Sequence, residues 1–368
     1  MQVRGFVFRF LGLAYGPGIF ILPKMKTAVL IQPGILKVRQ TKRPACPQRG
    51  LVVKATCCAI CSSDARMVLT GHQGLVYPRV PGHEIAGVVC ESRNRAFNIG
   101  DRVQIYPGIN CGYCAACLRG DTRRCASLKT LGFSEDGGFS EYLPVTDTSV
   151  LSGGVNLIPQ NITDEEAALT EPLASCINAQ EKTRVKRGDT VLIIGGGPLG
   201  LLNSFIARKM GAGKVLISER NEKRLALVKE HGRADRVIDA GLERLPKIVS
   251  DETGGRGTDV VILASNHSNI SNVLPLLTAG GRLSLFSSLS RESAATWFDV
   301  NHLHYRELEV SGAFGSTAAQ NAAALKMIGE GLPVGALVTK RVGLEEIMDG
   351  IRYTSDCEGL KAVIHHRQ

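Results

Sequence analysis

Between residues 25 and 155 the apolar positions come in short runs, Lys26–Ile31, Leu51–Thr56, Ile85–Cys90 and Asp101–Ile105, separated by Gly and Pro. Runs of this length bounded by such breakers read as strands, so this half is expected to be mostly β. From about 188 to 290 the pattern changes. Apolar runs at Thr190–Ile194, Lys214–Glu219, Arg236–Asp239, Asp259–Ala264 and Arg282–Ser287 alternate with helical stretches. That alternation predicts a parallel sheet wound by crossover helices. A helical segment, Thr317–Glu330, and a last strand, Leu360–His365, follow. The central unit is therefore expected to be inserted between two pieces of the other, with no repeat or low-complexity linker.

The strand Thr190–Ile194 runs into Gly195-Gly196-Gly197-Pro198-Leu199-Gly200, a GxGxxG turn that opens a helix reaching Met210. Its glycines serve a tight turn, close approach of backbone to a pyrophosphate, and close packing of helix on strand. The motif alone is weak. Its setting between strand and helix strengthens it, as does Glu219 at the end of the next strand, 19 residues beyond Gly200. An acid there accepts adenosine ribose hydroxyls and repels a 2′-phosphate, which favours NAD over NADP. Arg220, Lys223 and Arg224 leave the alternative open, since they can clamp a phosphate or simply be solvated helix charges.

Composition narrows the class. The 368 residues are 44% hydrophobic and 21% charged, an ordinary globular balance of about two domains' length. The net charge of +10 is diffuse, without a basic run or a basic helix face. Nothing in it points to nucleic acid, and a cationic cleft for an anionic cofactor explains it as well. The uncharged stretch Phe10–Leu22 is interrupted by Pro17 and is too short to span a bilayer. Residues 1–24 resemble a signal peptide only in outline, since Leu22-Pro23-Lys24 is a poor cleavage site. An extension upstream of a body beginning at Met25 is expected, with a targeting role as the alternative.

Four of the eleven cysteines, Cys111, Cys114, Cys117 and Cys125, crowd into fifteen residues. Thiolates at this spacing on one loop suit a closed tetrahedral zinc site, which leaves no position for substrate and is structural. An iron–sulfur cluster uses similar ligands but in a different spacing. Cys46, Cys57, Cys58, Cys90, Cys176 and Cys357 read as small buried hydrophobes of a reducing, cytoplasmic compartment. A second set is scattered along the chain: Cys61-Ser62-Ser63-Asp64, Gly82-His83-Glu84 and Glu171-Pro172. Singly, each piece is weak. Together they offer a thiolate, an imidazole and two carboxylates, the mixed donors of a catalytic zinc with an exchangeable position, with Asp64 suited to orient His83.

These residues resemble the zinc-dependent medium-chain dehydrogenase/reductase family. Gly100–Val103, Asp136–Tyr142, Glu171–Ala174 and the glycine turn follow in that family's order, and the likeness spans about residues 25 to 366. It implies an α/β fold: a GroES-like catalytic domain over 25–175 with the cysteine lobe at 108–128, a Rossmann NAD-binding domain over 176–315, and a return to the first domain over 316–368. Cys61 and His83 would hold the catalytic zinc, Glu84 and Glu171 would share its remaining protein position, and Ser63 would pass on the substrate proton. Gly195, Gly197, Pro198, Leu199, Gly200, Glu219, Arg220 and Arg224 would line the cofactor. Lys361 matches a basic residue that touches its pyrophosphate. An acid at position 171 resembles the polyol, sugar and threonine dehydrogenase branch. Dimers or tetramers are implied by edge-to-edge pairing of cofactor domains, with Arg282–Ser287 as the expected edge.

The expected activity is oxidation of a secondary hydroxyl on a polyol, sugar or sugar acid with NAD, or of L-threonine or another alcohol. A zinc-free quinone reductase is disfavoured by Cys61, His83 and the cysteine lobe, and an inactive nucleotide-binding module by retention of Ser63 and the metal ligands. Two departures stand out. Ser62 replaces a usual glycine, and Arg66 stands where a relay histidine is common. Arginine has no accessible neutral form, so protons must leave through water or a group such as His72. If Arg66 faces the cleft, its planar fork suits a carboxylate or phosphate; otherwise it is an exposed helix residue. Met67–Tyr77 and Phe133 are expected near the substrate.

Overall fold

The computed structural model describes residues 24–266, 270–288, 294–295 and 297–366. The extension read over 1–24 lies, except for Lys24, outside the described residues.

Six parallel strands form one sheet in the order Arg236–Asp239, Lys214–Glu219, Thr190–Ile194, Thr258–Leu263, Leu277–Leu285 and Glu309–Gly312. Strand Thr190–Ile194 is buried at every position, as a strand covered by helices on both faces must be. The strand order reverses between Thr190–Ile194 and Thr258–Leu263, and the crevice beyond their C-terminal ends is where such sheets bind ligands. Arg282–Ser287, expected at the edge, lies inside the sheet. Leu277–Leu285 pairs on both sides, and the edge is Glu309–Gly312, four mostly exposed residues too short to register as an apolar run.

The second sheet has a different origin. Strands Leu51–Ile60, Glu84–Ser92, Arg102–Ile105 and Val155–Leu157 come from the first half of the chain, with Tyr142–Val145 pairing Leu51–Ile60. Val338–Gly343 and Lys361–His365, from the end of the chain, complete it, the latter antiparallel to Leu51–Ile60. Its register decides what meets at one end. Ala59 lies opposite Glu84 and Ile60 opposite Ala362, so Cys61, His83, Glu84 and Lys361 are brought together from three distant parts of the sequence.

Helix Thr170–Thr183 is buried along most of its length, and its Leu173, Cys176 and Ile177 join a core shared with Val191, Ile193 and Phe205. Gln180 Nε2 donates to the Asn203 carbonyl at 2.6 Å and Asn178 Nδ2 to that of Gly315 at 2.9 Å, while the buried Thr170 Oγ1 and Gln180 Oε1 have no hydrogen-bond partner. Among the described residues no helix is long and apolar enough to cross a membrane.

Candidate active site

Cys61 follows the strand Leu51–Ile60 and caps the N-terminus of helix Ser62–Thr70. Asp64, fully buried, ties the surrounding backbone together. Its Oδ2 accepts from Cys61 N at 3.0 Å, and its Oδ1 from Gly82 N at 3.2 Å and lies 3.2 Å from His83 Nδ1. A carboxylate on Nδ1 fixes the imidazole and leaves Nε2 for another partner. Gly82 has φ +96°, and a Cβ there would sit 2.5 Å from the Phe139 ring, so glycine alone fits beside His83.

The metal-ligating atoms of Cys61, His83 and Glu84 all lie within 4.8 Å of one another. Glu84 Oε1 accepts from Lys361 Nζ at 2.5 Å, whereas its buried Oε2 has no hydrogen-bond partner. A buried carboxylate oxygen without a donor is costly, and a cation beside it removes that cost. Thiol, imidazole and carboxylate are the donor set of a catalytic zinc, so the residues fit one. Burial opposes a charge on His83, but Asp64, through its charge and hydrogen bond, and then Cys61 hold its pKa well above the ordinary value.

Glu171 stands outside that group of ligand atoms. Its Oε1 accepts from Ser175 Oγ at 3.3 Å, one turn along the same helix. Burial raises its pKa and Glu84 adds to the rise, while His83 and Lys361 pull it back. Ser63 occupies the first turn of helix Ser62–Thr70. The Phe133 ring lies 5.3 Å from that of His83 and 5.8 Å from that of His72, which is exposed.

Cys61, Ser62 and Arg66 share one cleft with Gly195, Gly197, Pro198, Leu199, Glu219, Arg220 and Arg224, so Cys61 opens toward the glycine turn. Gly195 has φ +112°, and a Cβ on Gly200 would fall 1.9 Å from the Gly195 carbonyl oxygen, which is why the turn packs only with glycine. Helix Pro198–Lys209 starts there and points its free amides at the cleft. Glu219 is held by three backbone donors: Gly196 N at 2.6 Å to Oε2, and Arg220 N at 2.7 Å and Asn221 N at 2.8 Å to Oε1. Arg224 Nε donates to the Gly359 carbonyl at 3.1 Å, with its guanidinium beside Gly197. Lys361 lines the cleft but is buried, giving its proton donors to Glu84 and to the Ile60 carbonyl at 3.3 Å. This pairing was not legible in the sequence, because it depends on the register of two strands some 300 residues apart.

The four lobe cysteines also gather their sulfurs within 4.8 Å, and all are free thiols. Cys111 and Cys117 sulfurs are 3.9 Å apart, and Cys114 and Cys117 sulfurs 3.5 Å. Backbone amides donate to two of them, Cys111 N to Cys125 Sγ at 3.3 Å and Cys114 N to Cys111 Sγ at 3.4 Å, which suits thiolates. The amides of Cys117 and Ala126 draw the Cys114 pKa down to about 6, whereas desolvation and its neighbours push Cys117 up to about 12. Four thiolates with no open position fit a structural zinc. Of the remaining cysteines, Cys46, Cys57, Cys58 and Cys176 are buried, while Cys90 and Cys357 are half-buried.

Two family patterns match the chain, the alcohol dehydrogenase GroES-like domain over residues 47–154 and the zinc-binding dehydrogenase domain over 198–330. The chain is similar to the sorbitol dehydrogenase of Bacillus subtilis (strain 168), 28% identical over 353 residues that cover 93% of this chain and 97% of that protein. It is 26% identical to the L-threonine 3-dehydrogenase of Idiomarina loihiensis, covering 91% and 97%. A Sinorhizobium meliloti 1021 protein described as a zinc-binding dehydrogenase, solved bound to NADP, superposes with a TM-score of 0.85 at 28% identity, covering 93% of this chain and 99% of that one. The chain belongs to the zinc-dependent alcohol dehydrogenase family and is a dehydrogenase, with a GroES-like domain and a Rossmann-like nucleotide-binding domain.

Proposed function

We propose that the protein oxidises a secondary hydroxyl of a polyol, sugar or sugar acid and passes the hydride to NAD. One observation carries the reading: Cys61 gathers with His83 and Glu84 and itself lines a cleft whose other wall is the glycine turn. Cys61, His83 and Glu84 would hold the catalytic zinc, with Glu171 close by, and Cys111, Cys114, Cys117 and Cys125 the structural one. A zinc ion bound there supplies Lewis acidity that lowers the pKa of a substrate hydroxyl.

The chain's own residues do the rest. Asp64 keeps the His83 ring oriented. Ser63 takes the hydroxyl proton, which leaves through water or His72 because Arg66 cannot relay it. A second substrate hydroxyl beside the first finds an acceptor in Glu171, which favours a polyol. The turn amides hold the dinucleotide, and Glu219, using three of about four acceptor sites on its backbone neighbours, keeps one for a ribose hydroxyl. The similarity to an NADP-bound structure and the nearby Arg220 support a second reading in which NADP is also taken. Two copies joined along Glu309–Gly312, with Val310 exposed, make the proposed dimer. A cytoplasmic setting fits the unpaired cysteines.

The test is a panel of polyols, aldonates, inositols and L-threonine with NAD and with NADP, read by absorbance of the reduced nicotinamide. Turnover of a polyol with NAD, abolished by chelation and at least about a hundredfold weaker in Ser63→Ala, is expected. Activity confined to L-threonine, or none at all on a zinc-loaded protein, would overturn the reading.

A further inference from the structure

The resemblance assigns a pyrophosphate contact to Lys361, yet its ammonium is neutralised by Glu84 and only 4% of the residue is exposed. A pyrophosphate crossing the cleft therefore needs another cation on the wall that carries Cys61. Arg66 lines that wall, and among the described residues no carboxylate pairs with it.

Its position suits the task. Arg66 is one turn beyond Ser62 on helix Ser62–Thr70, and long helical side chains lean back toward the N-terminal turn, here toward Ser62. Its Nη1 donates to Ser288 Oγ at 3.1 Å, across the cleft. Ser288 follows strand Leu277–Leu285 at the C-terminal edge of the parallel sheet, the edge along which a dinucleotide lies. The opposite wall offers backbone amides at the glycine turn, while Arg224 is held by the Gly359 carbonyl on the Glu219 side. A guanidinium has five N–H donors in a fork that matches phosphate oxygens, and one serine hydroxyl engages few of them.

We propose that Arg66 binds the pyrophosphate of the dinucleotide from the Cys61 wall, exchanging its Ser288 hydrogen bond for phosphate oxygens. The proposal rests on the dinucleotide-dependent reading above, and not on which alcohol is oxidised. The residue that cannot relay a proton thus holds the cofactor.

The test is calorimetric binding of ADP-ribose, AMP and NADH to the full zinc-loaded protein and to its Arg66→Ala and Arg66→Lys variants. Arg66 is exposed, so both variants are expected to keep the parent Tm. ADP-ribose carries the pyrophosphate but no nicotinamide, so its binding needs no turnover, and absent polyol oxidation would count against the proposed function alone. Arg66→Ala is expected to raise the Kd of ADP-ribose and NADH about tenfold or more, with Arg66→Lys between it and the parent. AMP should change less than about twofold, and the salt dependence of ADP-ribose binding should be shallower in Arg66→Ala. An ADP-ribose Kd unchanged by Arg66→Ala overturns the assignment. So does a loss confined to kcat/KM for carboxylate-bearing sugars, which would give Arg66 to the substrate.

Discussion

Lys361 Nζ and Glu84 Oε1 form an ion pair at 2.5 Å in which neither side chain is more than 5% exposed. Burial works against the lysine's charge, but Glu84, Cys61 and Glu171 around it raise its pKa overall. Removing one partner of a buried pair strands the other charge, which costs about 3–5 kcal/mol, whereas removing both costs much less. Lys361→Met is therefore expected to lower the unfolding free energy by about that amount, and Lys361→Met with Glu84→Gln to recover most of it. Denaturant melts of the three proteins check this; equal stability of the single and double variants would show that Glu84 never depended on the lysine.

Asp64 stands beside the proposed metal centre without belonging to its ligand set. Its oxygens hold the amides of Cys61 and Gly82 and the Nδ1 of His83, so the carboxylate sets both the backbone and the ring. Asp64→Asn keeps the volume but loses the charge and one acceptor oxygen. Zinc affinity, measured by competition with a chromogenic chelator, is expected to fall about 10–100-fold, with the lobe zinc retained. Unchanged affinity would reduce Asp64 to a backbone cap.

The cysteine lobe reaches the active site through Arg123, whose Nη1 donates to Asn178 Oδ1 at 2.6 Å on the helix that also carries Glu171. Cys114→Ser is expected to take bound zinc, by elemental analysis, from two ions per chain to one and to lower Tm. Because the Arg123 anchor loosens, kcat should fall by about tenfold while the remaining zinc stays bound. Two zinc ions per chain in the variant would show that Cys114 is not needed to hold the lobe's metal.

The elements differ in how far the sequence discloses them. Thr190–Ile194 with its glycine turn and the four lobe cysteines are local patterns: the residues that interact are neighbours in the chain, so their spacing carries the geometry. Cys61, His83 and Glu84 were legible only as separate fragments, joined by resemblance, and their meeting depends on strand register. Lys361 shows the limit. A basic residue near the cofactor was foreseeable, but its capture by Glu84 follows from Ala362 lying opposite Ile60, which nothing near Lys361 encodes. The edge Glu309–Gly312 is illegible for the opposite reason, since an exposed strand of four residues has no buried face to impose alternation.

Glu165 provides a test of how the end of the chain is held. Arg341 donates to it through Nε at 2.6 Å and Nη2 at 2.7 Å, and His365 Nε2 lies 2.6 Å from the same carboxylate. Arg341 and His365 thus join the two last strands of the sheet to helix Asp164–Ala168. The hydrogen bonds of Arg341, against some desolvation, hold the Glu165 carboxyl below its ordinary range, with His365 adding to the effect. A carboxyl depressed on folding binds fewer protons in the native state, so its stabilisation is complete above the unfolded value of about 4.3 and is lost as pH falls through the lower folded value. Wild type should exceed Glu165→Gln by up to about 1 kcal/mol near pH 7, the size of a partly exposed pair. That gap should close below about pH 4, while zinc loss, which acid also promotes, affects both proteins alike. Paired melts from pH 7 to pH 3.5 check it, and a gap that widens toward acid would mean that Glu165 is protonated more readily in the folded protein than in the unfolded chain.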